Sequence, residues 1–203
     1  MDKDYHKIVK GVGAEVLTNI IFYPLNTIRI RKQINLKTSS SLLLGLKWSM
    51  VSEIINSVVF YSVFQGLSKI TNPMVGSSLG AGAGLVCSFK TSVMRKRIQT
   101  FKPITDINYN GLGCSLLNTI PGVTINFTLR EYLKQKPEFE RSAGLISTMV
   151  SVILTHPLDT FTTCLVTKTK VCKTLLYKGF KERLLEKNLT IGSKMILLEL
   201  FDF

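Results

Sequence analysis

Pro24-Leu25-Asn26-Thr27-Ile28-Arg29 closes an apolar stretch near the start of the chain, and two later apolar stretches end in related runs. These are Lys90-Thr91-Ser92-Val93-Met94-Arg95 and Pro157-Leu158-Asp159-Thr160-Phe161-Thr162, at successive spacings of 66 and 67 residues. A second marker keeps the same beat: Leu43-Leu44-Gly45, Tyr109-Asn110-Gly111 and Tyr177-Lys178-Gly179, whose glycines are 66 and 68 residues apart. Periods of this length are the signature of repeat architectures. Two motifs sharing one period divide the 203 residues into three units of about two helices each, over residues 7–70, 73–136 and 140–203.

Hydrophobic residues make up 45% of the chain and charged residues 19%, with a mean hydropathy of +0.24, so the chain is more apolar than an average soluble domain. No segment is a clean run of 20 apolar residues. Apolar helices interrupted by glycine, hydroxyl and isolated charge suit a bundle around a polar interior, where only one face of each helix meets lipid. The apolar stretches predict helices over about residues 9–32, 48–67, 75–99, 111–134, 142–166 and 185–201. Proline inside the first and fifth, at Pro24 and Pro157, predicts helix kinks. Small residues cluster in the odd helices, among them Gly11, Gly13, Gly76, Gly80, Gly82, Gly84, Ser142, Gly144 and Ser147, where they allow close backbone approach.

The net charge of +13 raises the prospect of nucleic acid, and its distribution argues otherwise. Residues 29–47, 95–110 and 168–187 hold 16 basic residues against three acidic ones, and the rest of the chain balances. These segments occupy equivalent places in the three units, which is the positive-inside pattern of a membrane bundle. A nucleic-acid groove has no reason to track apolar helices, so no nucleic-acid partner is expected. Cys87, Cys114, Cys164 and Cys172 have neither metal-ligand nor disulfide-framework spacing and are expected as small buried or interfacial residues. His6 and His156 are isolated, so neither enzymatic chemistry, nor a metal, nor a cofactor is expected. The first six residues resemble neither a signal peptide nor a transit sequence, and targeting information is expected to be internal.

With these residues in view, the chain resembles the mitochondrial carrier family over nearly its whole length. That family ends each odd helix with Pro-x-Asp/Glu-x-x-Lys/Arg-x-Lys/Arg-x-Gln. The run from Pro24 to Gln33 matches except that Asn26 stands for the acid; the second copy keeps Arg95, Arg97 and Gln99; the third keeps Pro157 and Asp159. The resemblance implies an all-α membrane protein: six transmembrane helices as three tandem two-helix repeats around a pseudo-threefold axis, in a single carrier domain over residues 1–203. The spacing from the last motif position to the following glycine is only 12, 12 and 13 residues, so the matrix segments are expected to be shortened.

The resemblance also assigns roles. A matrix gate is implied from Asn26, Arg29, Ser92, Arg95, Asp159 and Thr162, with Gln33 and Gln99 beside it. Asp159 would pair with Arg29, Asn26 would face Arg95 and Ser92 would face Thr162. A cytoplasmic gate falls on Gln65, Glu131, Lys134 and Glu199. Gly45, Gly111 and Gly179 take the places of the family's lipid-binding turns, with cardiolipin as the implied lipid, although Leu43-Leu44-Gly45 fits that turn poorly. Counting from those glycines puts the substrate at Ser52 and Glu53, Asn118 and Thr119, and Glu186 and Lys187. Two acids and one base among these suit a cationic or zwitterionic solute better than a polyanion.

The implied function is transport of a small polar metabolite by alternating access, by a monomer in the inner membrane of a mitochondrion or a reduced mitochondrion-related organelle (mitosome). Helix one looks closest to S-adenosylmethionine carriers. Other readings are a nucleotide or metal-ion carrier of the same family, and a membrane-embedded structural or receptor protein that kept the fold without transport.

Overall fold

Six helices and no strand occur among the described residues of the computed structural model: α1 Asp2–Gln33, α2 Leu46–Ser68, α3 Pro73–Gln99, α4 Leu112–Lys134, α5 Ala143–Val166 and α6 Phe180–Phe201. The structure describes residues 2–37, 41–105, 107–140, 142–170 and 175–201, with side chains left out at 2–7, 68 and 194–201. Cys172 and the side chains of His6 and Glu199 therefore lie outside the described residues.

Local chemistry sets most boundaries. Asn72 caps α3, its side chain accepting from the Met74 amide at 2.9 Å, and Pro73 stands at the first helical position, where no amide hydrogen is needed. The odd helices all stop in one way. Asn35, Phe101 and Lys168 adopt left-handed φ of 60°, 56° and 52°, each two residues past its helix. The amides of Leu36, Lys102 and Thr169 then reach back to the carbonyls of Arg31, Arg97 and Cys164, each at 2.8 Å, the six-to-one bond of a Schellman motif. Gly45 and Gly111 cap α2 and α4 with φ of 86° and 92°, and Gly179 precedes α6 with φ of 77°. Leu43-Leu44-Gly45, the poor match in sequence, thus has the same backbone turn as the other two.

Two helices begin earlier than periodicity predicts. α1 starts at Asp2 and α6 starts at Phe180, directly after Gly179. The expected start at about residue 185 leaves out Lys181-Glu182-Arg183, but Glu182 pairs with Lys32 of α1 and Arg183 is buried, so the charges belong to the helix. Pro24, Pro121 and Pro157 all sit inside helices without ending them.

Each helix packs on its successor and α6 packs back on α1, which closes the six into a ring; the odd helices also touch one another. Close approach of α2 and α3 depends on missing side chains: a Cβ at Gly84 would lie 2.6 Å from Asn56 Oδ1, and one at Gly80 would lie 3.0 Å from the Phe60 carbonyl. Gly13 and Gly144 have open space instead, so only part of the small-residue pattern is packing.

Burial runs opposite to that of a soluble domain. Arg31, Gln33, Gln99 and His156 are among the largest fully buried side chains, while Leu17, Ile21, Leu79, Leu117, Ile153 and Leu154 are exposed. Among the described residues, a buried apolar cluster survives only at Phe89, Val93 and Val166. Among the described residues α1, α2 and α5 are long and apolar enough to cross a membrane. Polar groups inside and apolar ones outside are what lipid as solvent demands. Cys87 is exposed, whereas Cys164 is buried and Cys114 lies between, so burial is not common to the cysteines.

Candidate functional site

The C-terminal halves of α1, α3 and α5 carry side chains too polar to face lipid, and the structure turns them on one another. Gln33 Nε2 donates to Asp159 Oδ2 at 2.9 Å and to Thr160 Oγ1 at 3.3 Å. Gln99, one period later, donates to Thr27 Oγ1 at 3.0 Å and to Asn26 Oδ1 at 3.5 Å. Arg31 Nε donates to the Gln99 carbonyl at 2.9 Å, and Arg97 Nε donates to the Val166 carbonyl at 3.0 Å. These bonds satisfy carbonyls that a helix end leaves without a partner. Cys164, at the corresponding place in α5, has no comparable donor.

Asp159 is the charge centre of this lock. Arg29 Nη1 and Arg183 Nη1 each lie 3.7 Å from its Oδ2. Arg29 Nε is also 3.4 Å from Glu186 Oε2, and Arg183 Nη2 donates to Thr155 Oγ1 at 3.2 Å. Arg29, Asp159, Arg183 and Glu186 are all buried, so each charge depends on the others for compensation. The single Arg29–Asp159 pair expected from the sequence is therefore part of a four-residue network.

The remaining expected pairings differ. Asn26 does not bond Arg95; its Nδ2 donates to Glu186 Oε1 at 3.0 Å, because an acid on α6 competes for the amide. Arg95 Nη1 donates to Ser49 Oγ at 3.2 Å. Ser92 and Thr162 line one cavity, yet no hydrogen bond joins them: Thr162 Oγ1 is buried without a partner, the two short side chains not spanning the gap.

Above the lock lies a polar cavity of ≈ 180 Å³. Glu15, Glu53 and Glu186 line it with Arg29, Arg95 and Lys187, and Asn19, Asn26 and Thr18 add neutral donors and acceptors. Arg29, Asn26 and Glu186 belong to both cavity and lock, so an occupant would touch the residues that hold the helices together. A second cavity, ≈ 120 Å³, lies between α3, α4 and α5 and is lined by Asn118, Thr119, Ser92, Lys96 and Thr162, sharing Arg29 and Arg95 with the first.

The six residues expected at the substrate are thus divided. Glu53, Glu186 and Lys187 line the first cavity, Asn118 and Thr119 the second, and Ser52 is buried and lines neither. Equal spacing from three glycines fixes depth along a helix but not its rotation, which is what separates them. Glu131 and Lys134 form an exposed pair at 3.3 Å within α4, three residues apart, rather than a contact between helices. Gln65 lies on α2, partly buried.

Several residues of the site were not singled out from sequence. Arg183 sits four residues after Gly179, where Ser49 and Ser115 stand after Gly45 and Gly111, so the register alone marks its position. Lys96 is buried with Nζ donating to Thr163 Oγ1 at 3.3 Å. Glu15, an isolated acid in the apolar body of α1, accepts from Ser57 of α2 and could have been flagged as an ionisable group in a spanning helix.

Each glycine turn abuts the end of a helix from elsewhere in the ring. A Cβ at Gly45 would meet the Arg95 carbonyl at 3.4 Å, at Gly111 the Val166 side chain at 3.2 Å, and at Gly179 the Arg29 carbonyl at 3.0 Å. Beside Gly179, a groove of ≈ 540 Å³ is lined by Lys32, Lys37, Lys178 and Lys181 with Tyr177 and Glu182. No family model matches the chain, and no curated protein matches it.

Proposed function

We propose that the chain is a solute carrier similar to those of mitochondria: three two-helix repeats forming six membrane spans, which move a small polar solute across the membrane by alternating access. The observation that carries the reading is the coincidence of lock and cavity. Arg29, Asn26 and Glu186 tie α1 to α5 and α6 at one end of the bundle and also line the polar cavity, so binding there is coupled to the contacts that must break for the site to open to the other side.

Threefold recurrence supports the repeat reading. The left-handed stops at Asn35, Phe101 and Lys168, and the glycine turns at Gly45, Gly111 and Gly179, keep the sequence period, and each turn rests on a neighbouring odd helix. Three acids and three bases around one cavity favour a zwitterion, whose two charges each find a partner. The volume of ≈ 180 Å³ is below that of pockets for drug-sized ligands and favours a solute of amino-acid size over a nucleotide. The lysine-lined groove beside Gly179 suits the phosphate of an anionic lipid such as cardiolipin at a helix N-terminus. The inner membrane of a mitochondrion, or of a reduced mitochondrion-related organelle, follows from the family resemblance.

The test is uptake of radiolabelled amino acids, S-adenosylmethionine and nucleotides into cardiolipin-containing proteoliposomes, together with thermal shifts of the purified protein. Saturable uptake of one solute that also raises the melting temperature supports transport. A folded protein that takes up none and is stabilised by none favours a membrane structural or receptor role.

A further inference from the structure

We propose that the second cavity binds a small inorganic anion, which offsets the excess positive charge of its lining. Arg95 and Lys96 both line this cavity, and among the described residues neither has an acidic group within ion-pair distance. Arg95 has one hydrogen bond, to the neutral Ser49, and its Nε is buried without a partner. Lys96 is 9% exposed and has only the Thr163 hydroxyl. Arg95 is half-buried and also faces Glu53 and Glu186 across the first cavity, whereas Lys96 is buried with no carboxylate in contact and is costly to bury without further negative charge.

The single acid lining the cavity is already committed. Asp159 is held by Arg29, Arg183 and Gln33, and its one negative charge, which also acts on Lys96, is shared among these cations. With Arg29 included, the lining carries three positive charges against that one negative charge. A neutral donor completes the site: Thr162, 3% exposed, lines the cavity with a hydroxyl that has no hydrogen-bond partner. Ser92 and Thr162 are short side chains, and the ≈ 120 Å³ between the helices is room for an ion rather than for a metabolite. Chloride and phosphate share the required chemistry, a compact anion that accepts from guanidinium, ammonium and hydroxyl donors. The first cavity, with acids and bases in equal number, has no such bias.

The inference rests on this cavity and not on transport, so an inactive protein would bind the anion as well. The experiment is thermal unfolding of the detergent-purified full chain at constant ionic strength, with gluconate replaced stepwise by chloride or by phosphate. A saturable rise in melting temperature in one of them is expected, and which one identifies the anion. General salting effects are separated from binding by variants. Lys96→Gln and Thr162→Val shift the half-saturating concentration upward, by about tenfold for the lysine. Ser92→Asp places a carboxylate in the cavity, raises the melting temperature in gluconate and abolishes the anion dependence, whereas Ser92→Asn retains it. The proposal is overturned if wild type melts at one temperature in all three anions, or if Ser92→Asp and Thr162→Val respond to them as wild type does.

Discussion

The Gln33 side chain donates to the Asp159 carboxylate at 2.9 Å, joining the last turn of α1 to the middle of α5 across 126 residues of sequence. The same carboxylate oxygen lies 3.7 Å from both Arg29 and Arg183, so three side chains from α1 and α6 converge on one atom of α5.

Replacing Asp159 with Asn leaves Arg29 and Arg183 buried with their shared charge partner removed. The expected loss is about 3–5 kcal/mol of stability, read as a large drop in melting temperature. Arg29→Gln in the same background should recover part of it, because the two positions are coupled; strictly additive effects in a double-mutant cycle would contradict the network.

Gly84→Leu should separate α2 from α3. Its Cβ would lie 2.6 Å from Asn56 Oδ1 and 2.7 Å from the Asn56 carbonyl, and backbone cannot yield as a flexible side chain does. A cost of about 1–3 kcal/mol is expected from the overpacking. Gly13→Ala, in open space, should cost nothing. Equal thermal stability of the two variants would rule out the close helix contact.

Opposite signs are expected at two left-handed positions. Lys168 has φ of 52°, a conformation that glycine adopts without a Cβ penalty, so Lys168→Gly should stabilise by about 1 kcal/mol. Gly179→Ala should destabilise, since φ is 77° and the new Cβ would stand 3.0 Å from the Arg29 carbonyl. Chemical or thermal denaturation of both variants checks the pair, and a stabilising Gly179→Ala would refute the turn geometry.

Glu53 faces the first cavity and takes no part in the Asp159 network. Under the carrier reading, Glu53→Gln should abolish solute-dependent stabilisation and uptake. Retained uptake would move the substrate away from this side chain.

Helices were legible in the sequence because the signals that make them are local. Apolar stretches, prolines, glycines and a repeated period act within a few residues, and all six C-terminal boundaries fall within a residue of expectation. The early start of α6 escaped because Lys181, Glu182 and Arg183 look solvated until α1 supplies Lys32 and the interior supplies Asp159.

Readable along the chain are six helices, their stops, their basic ends and the residue types available at each level. That Asn26 meets Glu186 instead of Arg95, that Arg183 joins Asp159, and that Asn118 and Thr119 face a different cavity from Glu53 depends on how the helices pack. The difference is one of rotation. Successive side chains turn by about 100° around a helix axis, so spacing along the chain sets depth, while the packing of all six helices sets the direction in which each polar group points and which partner it reaches.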